Sequence, residues 1–123
     1  MRVAVPADEV WQLAGDPARI HEWFPGIVDC TIDGTTRVIT TASGISMPEE
    51  IVTEDPLLRR FQYRIALPIV REHLSTLDVI DLEDDTSLIV YSADADPATM
   101  ALIVAGAAGS ALEHLRDMLE GSR

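Results

Sequence analysis

The chain has 123 residues, 47% of them hydrophobic and 24% charged, the size and balance of one soluble domain, 1–123, with enough apolar material for a core. Twenty-one acidic residues against nine basic ones leave a net charge of −12, which opposes nucleic acid or an anionic membrane surface as partner. Every basic residue is arginine and lysine is absent, so Schiff-base chemistry, a lysine general base and a phosphate-loop lysine are excluded together.

In chain order, Met1 to Val5 alternates loosely and is expected to form a short strand, cut off by Pro6. Pro6 suits a first helical position, and Asp8 and Glu9 fall in the positively polarised first turn, so a helix is expected over about Pro6 to Ala14. Asp16-Pro17 repeats the signal, with aspartate as cap, and starts a second short helix that Pro25-Gly26 must end.

From Ile27 to Ala95 the apolar period falls to two. Turn residues punctuate six strands, roughly 27–33, 36–43, 47–54, 59–67, 71–82 and 86–95. Asp33-Gly34 is a hairpin turn, and Ser43-Gly44, Asp55-Pro56 and Glu83-Asp84-Asp85 are the other breaks, so sequential antiparallel pairing is expected. The clearest strand places Phe61, Tyr63, Ile65 and Leu67 on one face and Arg60, Gln62, Arg64 and Ala66 on the other.

Asp96-Pro97 is a third helix start. From Ala98 to about Glu120, Val104, Ala108, Ala111, Leu115 and Met118 recur at spacings of three and four. A helix of that length, roughly 34 Å, can bury its stripe only by lying across the concave face of a curved sheet. Within it, Gly106 and Gly109 either leave a void facing the sheet or permit close packing. Ala98 to Leu112 is the longest uncharged stretch, shorter than the roughly 20 strongly apolar residues of a membrane span. A buried helix without stable membrane insertion is expected.

The lone Cys30 excludes an internal disulfide and has acidic neighbours, so its thiol lacks electropositive activation. With no apolar run of secretory type near Met1, a cytoplasmic location is expected. His21, His73 and His114 are far apart and form no metal-ligand spacing, and neither a glycine-rich phosphate loop nor a nucleophile elbow is present. No metal and no cofactor are expected.

The order of strand, two short helices, six strands and long helix, with a tryptophan in each small helix, resembles the START-like, Bet v 1-like helix-grip superfamily (SRPBCC). Within it, the chain is similar to the polyketide cyclase/dehydrase-like branch. The likeness rests on Val5-Pro6-Ala7-Asp8-Glu9-Val10-Trp11, Trp23-Phe24-Pro25-Gly26-Ile27, Gly44 with Glu50 and Asp55, Arg60, Tyr63-Arg64-Ile65 and the closing helix. It implies an α+β fold whose seven-stranded curved antiparallel sheet grips the C-terminal helix around a cavity for a hydrophobic small molecule. The first strand is unusually short for such a fold.

The candidate site residues follow. Glu50 matches the family's glutamate, and a carboxyl facing an apolar cavity would act as an acid or hydrogen-bond donor; alternatively it pairs with an arginine on the next strand. Only one of the adjacent Glu49 and Glu50 can face inward. Tyr63, on the face of Phe61 and Ile65, either orients a ligand through its hydroxyl or is a core tyrosine. His73, Ser75 and Tyr91 lie on strands of mixed faces, and Val104, Ala108 and Ala111 are the helix stripe facing the cavity. Trp11 and Trp23-Phe24 either anchor the small helices to the sheet edge, where the resemblance implies the cavity mouth, or gate that mouth.

Three functions are compatible with this reading: a carrier or sensor of a lipid or aromatic polyketide-like ligand; a cofactor-independent cyclase or dehydrase with Glu50, His73 and Tyr63 as candidate catalytic groups; or a protein-interaction module. Oligomeric state is left open.

Overall fold

A computed structural model describes residues 1–121. The elements are β1 (Arg2–Val3), α1 (Ala7–Ala14), a 3₁₀ turn (Pro17–Arg19), α2 (Ile20–Trp23), β2 (Ile27–Asp33), β3 (Thr36–Thr41), β4 (Ser46–Asp55), β5 (Arg60–Ile65), β6 (Glu72–Glu83), β7 (Thr86–Asp96) and α3 (Ala98–Gly121). All seven strands form one antiparallel sheet in the order β1-β7-β6-β5-β4-β3-β2. Consecutive strands from β2 to β7 are neighbours, as short hairpin connections require.

Local chemistry accounts for the breaks. Asp16 accepts the Ala18 amide at 3.0 Å with Pro17 as the first helical residue, although the expected second helix divides into a 3₁₀ turn and one α-helical turn. Asp55 closes the β4–β5 connection by accepting the amides of Leu57 and Leu58, both at 3.0 Å. Gly34 and Gly44 sit at positive φ in the β2–β3 and β3–β4 turns. A Cβ on Gly15 would lie 2.4 Å from the Trp11 ring, so the helix end and its tryptophan fit only without a side chain there.

The close-packed core occupies one end of the molecule. Val3, Val5, Val10, Leu13, Trp23 and Leu77 pack there with Val79, Ile89 and, from α3, Ala111, Leu112 and Leu115. Only the C-terminal half of α3 is buried, through Ala108, Ala111, Leu112 and Leu115. Its N-terminal half stands away from the sheet, leaving Leu102 76% and Ile103 64% exposed. The expectation that the whole uncharged stretch is buried is thus corrected, because the sheet beneath the first turns of α3 is not in packing contact with it. By length and composition alone α3 is sufficient to cross a membrane; in this fold its C-terminal half completes the core instead.

Gly106 and Gly109 serve neither role read from the sequence. Both are exposed, and a Cβ on either would meet nothing within 4 Å. Gly106→Ala and Gly109→Ala are therefore expected to stabilise the fold by about 1 kcal/mol each, through helix propensity alone. Urea unfolding midpoints check this, and a decrease in either variant would mean that the glycine has a partner.

Candidate functional site

Adjoining the core, with Ile20, Ile27 and Ile39 common to both, a cavity of about 460 Å³ lies between β3, β4 and β5 on one side and Met100, Ile103, Val104 and Ala107 of α3 on the other. Ile39, Met47, Ile65 and Leu67 supply most of its sheet wall, and Phe24 with the following Pro25-Gly26 turn forms one flank. It exists because β4 and β5 face the α3 turns that stand off the sheet. Its side-chain polar groups are few: Thr41, Ser43, Glu49 and Tyr63. Thr41 and Ser43, whose hydroxyls bond each other at 2.8 Å, are not buried, and the buried polar groups of the cavity are Glu49 and Tyr63.

Glu49 is 3% exposed and pairs with Arg37, itself 1% exposed, on the adjacent strand. Arg37 Nε donates to Glu49 Oε1 at 2.7 Å and Nη2 lies 2.7 Å from the same oxygen, while Nη1 donates to the Pro17 carbonyl at 3.2 Å. The guanidinium also covers the rings of Tyr63, at 4.8 Å, and Phe61, at 5.2 Å. Burial pushes the Glu49 carboxyl above its ordinary range, and the Arg37 charge opposes that rise.

The adjacent Glu50 does not face the cavity. It is exposed on the outer face, 3.5 Å from Arg64. The physical reason is a bulge in β4: the pairing runs Ile51 with Tyr63 and then Thr53 with Gln62, leaving Val52 as an extra residue. Counted back from the β4–β5 turn without it, Glu50 would oppose the inward Ile65. The inserted residue places Glu49 opposite Ile65 and turns Glu50 outward, opposite Arg64.

Behind Tyr63 lies a polar chain whose direction is set by a backbone amide. Ile65 N–H donates to His73 Nδ1 at 2.8 Å. Since an amide can only donate, Nδ1 is the acceptor and Nε2 carries the proton, donated to Ser75 Oγ at 2.8 Å. Ser75 stands opposite Tyr63 in the β5–β6 pairing, and the Tyr63 hydroxyl shares a hydrogen bond with the Tyr91 hydroxyl. Burial, reinforced by Glu49 nearby, raises Tyr63 above its ordinary range; burial and the Tyr63 hydroxyl raise Tyr91 well above it. Both are neutral phenols able to donate and accept.

Burial lowers the His73 pKa from its ordinary 6.5. The folded chain therefore resists a proton that the unfolded chain takes up as pH falls below that value. The stability that neutral His73 confers is complete above 6.5 and lost as pH falls toward its folded value. Melting His73→Gln beside the parent from about pH 7.5 to about pH 5.5 should show the parent losing more stability in the acidic half; parallel curves would contradict this.

Of the residues expected at the site, Tyr63, Ile65 and Val104 line the cavity. Phe61, His73, Ser75 and Tyr91 point inward but stand in the layer behind it, and Ala108 and Ala111 are consumed by the core seam of α3. His73 borders instead a separate, more polar pocket of about 480 Å³ beside Arg71, Asp96 and the start of α3. Trp23 is buried as an anchor, and its neighbour Phe24 reaches the cavity. The sequence reading missed Glu49, Arg37, Ile39, Met47 and Met100. A signal for the first two existed in register: Arg37 shares a strand face with Ile39, and Glu49 with Met47. Among the described residues, no three His, Cys, Asp or Glu side chains gather as a metal site.

A seven-stranded curved antiparallel sheet packed against a long C-terminal helix is the helix-grip fold. The chain belongs to the family described as polyketide cyclase / dehydrase and lipid transport, whose model matches residues 1–120. Among solved structures, it is similar to XoxI from Bacillus cereus, at 24% identity and TM-score 0.89 over 97% of this chain and 91% of that one. It is similar also to the di-domain ARO/CYC BexL of the BE-7585A biosynthetic pathway, at 24% identity and TM-score 0.78 over 98% of this chain and 44% of that one. A START superfamily protein from Mycobacterium smegmatis is similar at 17% identity and TM-score 0.70, over 99% and 92% of the two chains. No curated protein sequence matches.

Proposed function

We propose that this protein binds a hydrophobic small molecule, as a carrier or sensor, in the cavity between β3–β5 and the N-terminal half of α3. The observation that carries this reading is the cavity itself: about 460 Å³ walled mainly by Ile39, Met47, Ile65, Leu67, Met100 and Val104, with Glu49 and Tyr63 on its polar side. Burial of apolar ligand surface, at about 25 cal/mol per Å², supplies affinity, and the two polar groups set orientation. The family's lipid-transport branch supports it. Titration with Nile red, an uncharged apolar dye, tests it: saturable fluorescence enhancement is expected, and none at any protein concentration would overturn the reading.

A second reading, a cyclase or dehydrase, draws support from the bonded Tyr63 and Tyr91 hydroxyls beside the Ile65–His73–Ser75 chain. Tyr63 faces the cavity, so with Tyr91 as the donor of their shared bond its own proton stabilises negative charge on a ligand carbonyl as an enolate forms. His73 serves there as a positioning residue, since it does not line the cavity. Glu50 has no part in either reading.

A further inference from the structure

Accepting that the cavity is the ligand site, we infer that it selects ligands carrying a hydrogen-bond-donating hydroxyl, such as a phenol, a hydroxylated polycycle or an enol, over their ethers and over carboxylate amphiphiles such as fatty-acid anions. The assignment follows from the polar groups that reach the cavity. Thr41 and Ser43 bond each other, and Thr41 also receives the Ile45 amide at 3.2 Å. The Tyr63 hydroxyl is bonded to the Tyr91 hydroxyl. Glu49 remains, and Arg37 approaches it wholly through Oε1, with Nε and Nη2 both 2.7 Å from that atom.

Among the described residues none donates to Oε2. Glu49 is 3% exposed and lines the cavity, so the accessible, unpartnered Oε2 is an acceptor that a ligand hydroxyl fills. The same oxygen rejects an ether, which has no proton to give. It rejects a carboxylate because a second anion would be desolvated beside the first, and Arg37, the one cation near, is held behind Glu49 by the Pro17 carbonyl and the Phe61 and Tyr63 rings.

Displacement of Nile red by 2-naphthol, 2-methoxynaphthalene and 2-naphthoate separates these possibilities on one aromatic frame. Naphthol is expected to displace the dye at a concentration at least about tenfold lower than the ether, with naphthoate the weakest. Equal potency of naphthol and ether would overturn the inference while leaving the cavity as the ligand site. So would naphthoate as the strongest, which would mean that Arg37 and not Glu49 reads the ligand. Failure of Nile red and all three naphthalenes to bind would remove the binding function, and this inference with it. A double variant, Arg37→Met with Glu49→Met, takes away the acceptor without leaving a lone buried charge, and should reduce the naphthol preference to within about twofold. Persistence of the full preference would overturn the assignment to Glu49, and should the variant not fold, the ligand series on the parent protein decides alone.

Discussion

Arg37→Ala is expected to lower the unfolding free energy by about 3–5 kcal/mol, a large share of the roughly 5–15 kcal/mol of a domain of this size. Three losses combine. Glu49, at 3% exposure, loses the two nitrogens that now stand 2.7 Å from Oε1, and either holds an uncompensated charge or takes up a proton at a cost in stability. The Pro17 carbonyl loses its donor, and the Phe61 and Tyr63 rings lose the plane packed across them. Removing both charges together is a different experiment: Arg37→Met with Glu49→Met should recover most of the deficit, because the lone desolvated carboxylate is gone while the volume is filled. Urea unfolding followed by near-UV circular dichroism checks both. A single variant within about 1 kcal/mol of the parent would show that the pair is solvated, contrary to its burial.

Filling the cavity should separate binding from folding. Val104→Trp with Ala107→Trp puts two indoles on the α3 face that lines it, each able to cover about 200 Å² of the surface a ligand would otherwise occupy. Nile red affinity is expected to fall at least about 100-fold. The unfolding midpoint should move little, since neither residue belongs to the close-packed cluster and Ala107 is exposed. Undiminished dye binding would place the dye elsewhere on the protein.

What the sequence made legible follows from how local each signal is. Phe61, Tyr63 and Ile65 alternate cleanly with charged or amide residues, and all three are buried. The Asp-Pro pairs and Asp33-Gly34 mark boundaries through chemistry confined to a few residues, and those boundaries hold within a few positions. The site was less legible because its decisive feature is not local. Which of Glu49 and Glu50 turns inward depends on Val52 being extra, and a bulge is visible only when both strands of the pair are seen. Arg37 was hidden for a related reason: Val38 and Ile39 put an apolar side chain on each face of β3, so nothing in that strand alone marks its inner side. The stand-off of α3 is likewise set by the tertiary fit of Ala108, Ala111 and Leu115, and the uniformly small, apolar helix gives no hint of where contact ceases.

The division of the interior has a further consequence for how this protein changes over time. Residues that hold the chain together gather around α1, β1, β7 and the last turns of α3, whereas those that meet a guest sit on β3, β4, β5 and the first turns of the same helix. Substitutions at Leu67 or Met100, which lie outside the core cluster, can therefore reshape the guest compartment without dismantling the scaffold, whereas Ile39 belongs to both. The Arg37–Glu49 pair is the point where the two territories meet, and it is there that a new specificity would carry the greatest risk to folding.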